Sequence, residues 1–185
     1  WSMVITQTNG MTSLSIHGAE THAKPAPIPK DAQFLGIEFN LGAFMPHLSP
    51  HQLVNNEITL LSDNHRTIQL HHSTWELPTY DNADCFIDRL VCEGLLMFDA
   101  IVPATLQGQP QQLTTRSVQR RFLRATGLTH GAVHQIKRAN EAFWLLTEGV
   151  PILDTVELLG YADQPHLTRA LKRFFGQTPA QLLRK

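Results

Sequence analysis

The strongest constraint on the fold is a pattern that occurs twice in the C-terminal half, in Ser117-Val118-Gln119-Arg120-Arg121-Phe122 and in His166-Leu167-Thr168-Arg169-Ala170-Leu171-Lys172-Arg173-Phe174. Each stretch puts apolar residues on one side of a helix and basic or amide residues on the other. In the first, Val118, Phe122 and Ala125 share a face, while Arg116, Gln119 and Arg120 share the opposite one at i, i+3 and i+4 spacing. In the second, Leu167, Ala170, Leu171 and Phe174 face inward. That leaves Pro165, Thr168, Arg169 and Lys172 outward, with Gln164 at the border. A single basic amphipathic helix is usually the solvated side of a core helix. Here each of the two follows a short helical segment and a turn, so the pair reads as two helix-turn-helix units in one chain. Arg bonds guanine bidentately and Gln bonds adenine in the major groove, so the outward faces carry the chemistry to read double-stranded DNA. Arg121 and Arg124 flank the first face as expected phosphate contacts, which fix register without reading sequence. Leu123 returns towards the polar side, so only the N-terminal half of that helix is expected to enter the groove.

Charge sharpens the reading. The 185 residues carry a net −1, but residues 1–98 hold 4 Lys/Arg against 10 Asp/Glu and residues 99–185 hold 11 against 6. An acidic half joined to a basic half is expected when one part touches nucleic acid and the other does something else. The two cysteines, Cys85 and Cys92, fall in a segment that reads as helix, where their Cα atoms would stand ~10 Å apart. That is beyond the ~7 Å reach of a disulfide. Free thiols fit a reducing cytoplasm. No apolar run is long enough to span a membrane and no secretion signal is visible, so a cytoplasmic protein with no membrane partner is expected. The chain starts at Trp1, inside what already reads as a strand, and a preceding stretch of the first region is expected to be missing.

The first forty residues carry strand signals. Ser2 to Thr8 alternates around Val4, Asn9-Gly10 is a hairpin turn, and Met11 to His17 alternates through Leu14 and Ile16. The proline-rich stretch from Lys24 to Lys30 predicts a loop, Phe34 to Phe39 a buried strand, and Ile58 to Leu61 a short strand or turn. From Ala83 the period changes to 3.6, with Phe86, Leu90 and Met97, joined by Ile87, Val91, Leu95 and Phe98, on one face and Asp88, Arg89 and Glu93 opposite. Helices are predicted over 83–97, 99–107, 115–126, 129–148, 151–159, 163–175 and 178–184. Thr129, Asp163 and Thr178-Pro179 are start signals, and Gly127, Gly149, Gly160 and Gly176 are stops. The expected fold is α+β: a small, mostly β region over residues 1–82, then an all-α region over 83–185 made of two three-helix units joined by the long helix.

The motifs also carry a family resemblance. Gln119-Arg120-Arg121-Phe122 with Gly127, then Gly160-Tyr161-Ala162-Asp163-Gln164, Leu167-Thr168-Arg169, Phe174-Phe175-Gly176 and Thr178-Pro179 resemble, in that order, the AraC family of bacterial transcription regulators. The likeness runs from Arg116 to Lys185 and more weakly back to residue 83. It implies a seven-helix DNA-binding domain whose two helix-turn-helix units reach adjacent major-groove segments on one face of the duplex. By that analogy Arg116, Gln119 and Arg120 are the base-reading residues of the first unit, and Gln164, Thr168 and Arg169 those of the second. Arg121 and Lys172 complete the expected DNA-binding set. The sequence departs from the family pattern at Gln107 to Gln112, a longer and more polar turn, and at Pro165, which stands where a polar residue is often available. More loosely, Gly36-Ile37-Glu38-Phe39, Gly42 and Phe44-Met45-Pro46 resemble the cupin-like sensor regions of such regulators. That implies a small-molecule effector or a homodimer as partner, and RNA polymerase if the protein is an activator.

The rival reading is a metal-dependent cupin-like enzyme, or an effector-binding protein whose helices serve protein contacts. Seven of the ten histidines lie in residues 1–72, but no His-x-His pair occurs. His71 and His72 would point to opposite faces of a strand, and Pro50 disfavours a helix that would bring His47 and His51 together. His130 and His134 have i, i+4 spacing without the glutamate of a zinc protease. The two cysteines cannot supply the zinc-held thiolate cluster of a DNA-repair methyltransferase, and no nucleophile elbow or phosphate loop occurs. Trp75, Trp144 and the phenylalanines are expected in the core. No catalytic residue, metal ligand or cofactor is therefore assigned.

Overall fold

Alternation of apolar residues builds the first sheet. Met3 and Ile5 on strand β1 (Ser2–Thr8) and Leu14 and Ile16 on β2 (Met11–His17) are buried, and the antiparallel register sets Met3 opposite Ile16 and Ile5 opposite Leu14. Val4 pairs with Ser15 on the other face, so the alternation that fills the core runs through Met3 and Ile5 rather than Val4. Strand β3 (Gln33–Glu38) joins the free edge of β1, and β5 (Glu57–Leu61) joins that of β2, giving the order β3-β1-β2-β5. The computed structural model describes residues 1–185 apart from Asn9, Pro27, Asp63 and Lys185. Half of the expected Asn9-Gly10 turn therefore lies outside the described residues, while Gly10 has the positive φ, 95°, that a tight hairpin needs.

The chain divides into two compact units, Trp1–Ala19 with Pro27–Leu128, and Glu20–Ala26 with Thr129–Lys185. This division by contacts differs from the boundary at 82/83 that the change of hydrophobic period suggests.

The first unit contains several elements that the sequence reading did not place. Strand β4 (Ala43–Phe44) pairs antiparallel with β8 (Met97–Phe98), and β6 (Thr67–Leu70) with β7 (Ser73–Glu76). A single helical turn, α1 (Pro50–Leu53), starts with Pro50 in the first-turn position where its missing N–H costs nothing. Helix α2 (Ala83–Cys92) stops five residues short of the expected 97. Gly94 takes a φ of 69°, and the N–H groups of Leu95 and Leu96 both return to the carbonyl of Leu90, which closes the helix end. Phe86 and Leu90 are buried as expected, but Met97 and Phe98 are exposed because the helix ends before they can join that face, and Val91 is exposed although it lies within the helix. The core here is Met3, Leu14, Ile16, Ile68, Trp75, Phe86 and Leu90 with their neighbours. Full burial of such side chains contributes about 1.5–3 kcal/mol each. Phe86 meets Trp75 edge to face at 5.5 Å, and Arg89 covers the other indole surface at 3.9 Å.

Helices α3 (Ile101–Leu106) and α4 (Thr115–Thr126) complete the first unit. The second contains α5 (His130–Thr147), α6 (Ile152–Leu158), α7 (Gln164–Phe175) and α8 (Pro179–Leu182) around Ala142, Leu146, Leu167, Leu171 and Leu182. Phe143 stacks on Phe175 at 4.4 Å. Trp144, expected in the core, is 62% exposed, since it projects from the side of α5 opposite Ala142 and Leu146. No helix among the described residues is long and apolar enough to cross a membrane. The coarse expectation of a β-rich first region followed by helices holds.

Candidate nucleic-acid interface

The two basic helices have the same local design. In each, an N-cap side chain accepts from a first-turn amide: Thr114 from Ser117 N, and Asp163 from His166 N at 2.6 Å. In each, a glycine in the left-handed region ends the helix, Gly127 at φ 70° and Gly176 at φ 69°. Both run for 12 residues.

On α4, Phe122 and Ala125 are fully buried and Val118 half-buried, while Arg116, Gln119 and Arg120 are exposed together. Leu123 is 43% exposed, on the polar side where its spacing put it. Arg121 is placed differently from the other basic residues. Its Nη1 donates to both carboxylate oxygens of Asp99 at 3.0 and 3.1 Å, and Arg124 Nη2 reaches the same carboxylate at 3.4 Å. Asp99 is buried, with 2% of its side chain exposed, and its Oδ1 also accepts from the N–H of Ile101 at the start of α3. Its own N–H donates to the carbonyl of Gly42. A carboxylate this deep requires partners, and it takes both flanking arginines for that purpose. Nothing in local sequence marked Asp99, because the strand pair β4 and β8 that carries it there was not foreseen.

On α7, Leu167 and Leu171 are buried, and Gln164, Pro165, Arg169 and Lys172 are exposed, with Thr168 half-buried. The approach from α6 is fixed by Thr155, fully buried with its hydroxyl on the carbonyl of Pro151. Gly160 turns the chain at φ 64°. Tyr161 then inserts behind α7. Arg138 of α5 lies 4.4 Å from the Tyr161 ring and donates to the carbonyl of Gly160, and His166 meets the same ring edge-on at 5.1 Å. Burial raises the pKa of the Tyr161 hydroxyl above its ordinary value, with the positive charge of Arg138 opposing.

Residues 111–185 match the family model described as a helix-turn-helix domain. The HTH-type transcriptional regulator VirS of Mycobacterium tuberculosis is 40% identical over 67 residues, 36% of this chain and 19% of VirS. Residues 111–185 are a helix-turn-helix domain of the AraC type. The HTH-type transcriptional regulator RipA of Corynebacterium diphtheriae is 30% identical over 93 residues, 50% of this chain and 28% of RipA. The chain thus aligns with 19% to 28% of the length of these relatives. No solved structure matches the chain significantly.

Outside the AraC-type domain, the histidines of the first unit are arranged differently from expectation. His71 sits in the turn after β6 with φ 59°, not on a strand, so its ring lies 4.0 Å from that of His72 and 5.0 Å from that of His47. His51 is on α1, with His47 just before it, and both line one surface groove. Burial, and then the neighbouring His71, lower the pKa of His47. Among the described residues no group of three or more His, Cys, Asp or Glu is placed to hold a metal ion.

Proposed function

We propose that the chain is part of a sequence-specific, double-stranded DNA-binding transcription regulator of the AraC type, and not an enzyme. The observation that carries this reading is the pair of 12-residue helices within one AraC-type domain, each with a buried apolar face and an exposed basic or amide face. In this reading Arg116, Gln119 and Arg120 read bases from α4, and Gln164, Thr168 and Arg169 read them from α7, with Lys172 on phosphate. Arg121 braces α4 through Asp99 and approaches phosphate only with its outer edge. Residues 83–185 act as the DNA-binding part, with the seven-helix design of the family. The acidic, cupin-like residues 1–82 serve a small-molecule effector or self-association as a homodimer. The protein works in the cytoplasm without a cofactor, and contacts RNA polymerase where it activates.

The test is selection of bound sequences from a random duplex library by the 185-residue chain at physiological salt, beside the Arg120→Ala/Arg169→Ala variant. The expected result is a motif of two short blocks about one helical turn, ~10 bp, apart, lost in the variant. Folded protein that enriches no sequence would overturn the reading.

A further inference from the structure

Behind α7, the second unit has a recess whose polar groups the helix-turn-helix frame leaves without acceptors. It encloses about 160 Å³ and is walled in part by Gln135, Arg138, Tyr161, His166, Arg169 and Arg173. On the same measure a single water needs only about 10–15 Å³, so a tetrahedral oxyanion fits. Tyr161 is 6% exposed, and among the described residues neither its hydroxyl nor Nε of Arg138 has an acceptor. Both are donors. Buried donors without acceptors cost about 1–3 kcal/mol each, and native proteins rarely keep them without a reason.

The surrounding groups are donors and cations as well. Arg138 is held by the carbonyl of Gly160 and the Tyr161 ring, and Arg173 by its Nε–H on the carbonyl of Thr21 at 3.1 Å. Two of the three guanidiniums are thereby positioned before any ligand arrives, which reduces the entropy lost on binding. The nearby carboxylates do not fill the role. Asp163 is occupied as the cap of α7, and Glu141 acts on Tyr161 only as a distant charge that raises its pKa. Guanidinium forks with a hydroxyl beside them match the several oxygens of a phosphate better than a single carbonyl or a flat base edge.

We propose that this recess binds a phosphate group, with Arg138 and Arg173 supplying charge and the Tyr161 hydroxyl a hydrogen bond. The regulator reading bears on the source alone: a phosphodiester of the duplex backbone if that reading holds, a free or small-molecule phosphate otherwise. As a phosphodiester site, the recess would seat α7 on the backbone beside Arg169, which borders it.

Two probes and two variants of the 185-residue chain decide it. Inorganic phosphate is titrated against the His166 and Tyr161 ring resonances, with chloride at equal ionic strength as control. A random-sequence duplex is titrated across a salt series. Tyr161→Phe removes the hydroxyl and keeps the ring, and Arg173→Gln covers the case in which the first change lowers stability. If the source is duplex, Tyr161→Phe weakens random and selected duplexes alike by about tenfold, and Arg173→Gln lowers the salt slope by about one. If the source is a free phosphate, inorganic phosphate shifts both rings in the native chain and in neither variant, while duplex binding is unchanged. Folded protein in which phosphate moves neither ring, and in which both variants bind duplex like the native chain, overturns the proposal. That result would leave the sequence-selection experiment standing.

Discussion

Helices α4 and α7 share length, cap chemistry and a terminal glycine, yet they use their cations in opposite ways. On α4 two of the four arginines turn back to a buried carboxylate of their own unit, and Arg116 and Arg120 remain outward. On α7 no carboxylate among the described residues takes the basic side chains; Arg169 and Arg173 instead border a recess of donors. The difference teaches that exposure and positive charge do not by themselves assign a residue to DNA. What decides is whether the surrounding fold already needs the charge. Asp99 does, since its burial would otherwise cost several kcal/mol. The recess around Tyr161 has the opposite deficit, donors that lack an acceptor.

This comparison can be broken first at the cores. Phe122→Ala and Leu171→Ala are each expected to cost about 2–5 kcal/mol in urea unfolding, with amide exchange accelerating chiefly in the unit that holds the substitution. Equal acceleration throughout both units would show that they unfold as one. Next comes Asp99→Asn, which keeps an acceptor for Ile101 N but removes the charge that holds Arg121 and Arg124. A stability loss of about 1–3 kcal/mol is expected, together with a steeper salt dependence of duplex binding as two guanidiniums become available. An unchanged salt slope would mean that the released arginines do not reach phosphate.

Arg120→Ala and Arg169→Ala should each weaken a selected duplex by about 1–3 kcal/mol while leaving random duplex nearly unaffected. Equal losses on both DNAs would reassign that arginine to phosphate, and the proximity of Arg169 to the Tyr161 recess makes its result the more informative. The caps give a smaller effect. Thr114→Ala and Asp163→Ala are expected to lower stability by about 1 kcal/mol each, and a much larger loss at Asp163 would tie the α7 start to more than its own helix. Smallest is a pH effect in the first unit. His47 has a lowered folded pKa, so the unfolded chain takes up its proton first. Its contribution is complete above the ordinary value of 6.5 and is lost as pH falls from there through the lowered value. Replacing His47 by Asn should flatten the pH dependence of the unfolding midpoint in that window, and an unaltered profile would place the effect elsewhere.

Much of the C-terminal half was legible because its signals are local. Thr129, Asp163 and Thr178 act as N-caps, and Gly127 and Gly176 end helices where the pattern said they should. The overrun of α2 was a misreading of the same chemistry, since Gly94 was passed over while apolar spacing continued to Phe98. What could not be read was non-local. Two-residue strands such as β4 and β8 have too few residues to show a period, and only their pairing carries Asp99 to α4. Tyr161 lay inside the quoted motif, but its missing hydrogen-bond partner depends on Arg138, far away in sequence. Strand alternation has no bearing on His71 and His72, because both lie where the chain turns.

The two terminal glycines also set unequal rules for anyone who would diversify this chain. A side chain at Gly127 would run into the backbone of Pro50 and the Val54 methyl at 2.8 Å, whereas at Gly176 the nearest atom is the Ala23 methyl at an ordinary 3.5 Å. A combinatorial library can therefore admit asparagine at position 176, at roughly 1 kcal/mol for the left-handed conformation. Position 127 has to stay as it is, so variation at that end of α4 is available only by rebuilding α1 with it.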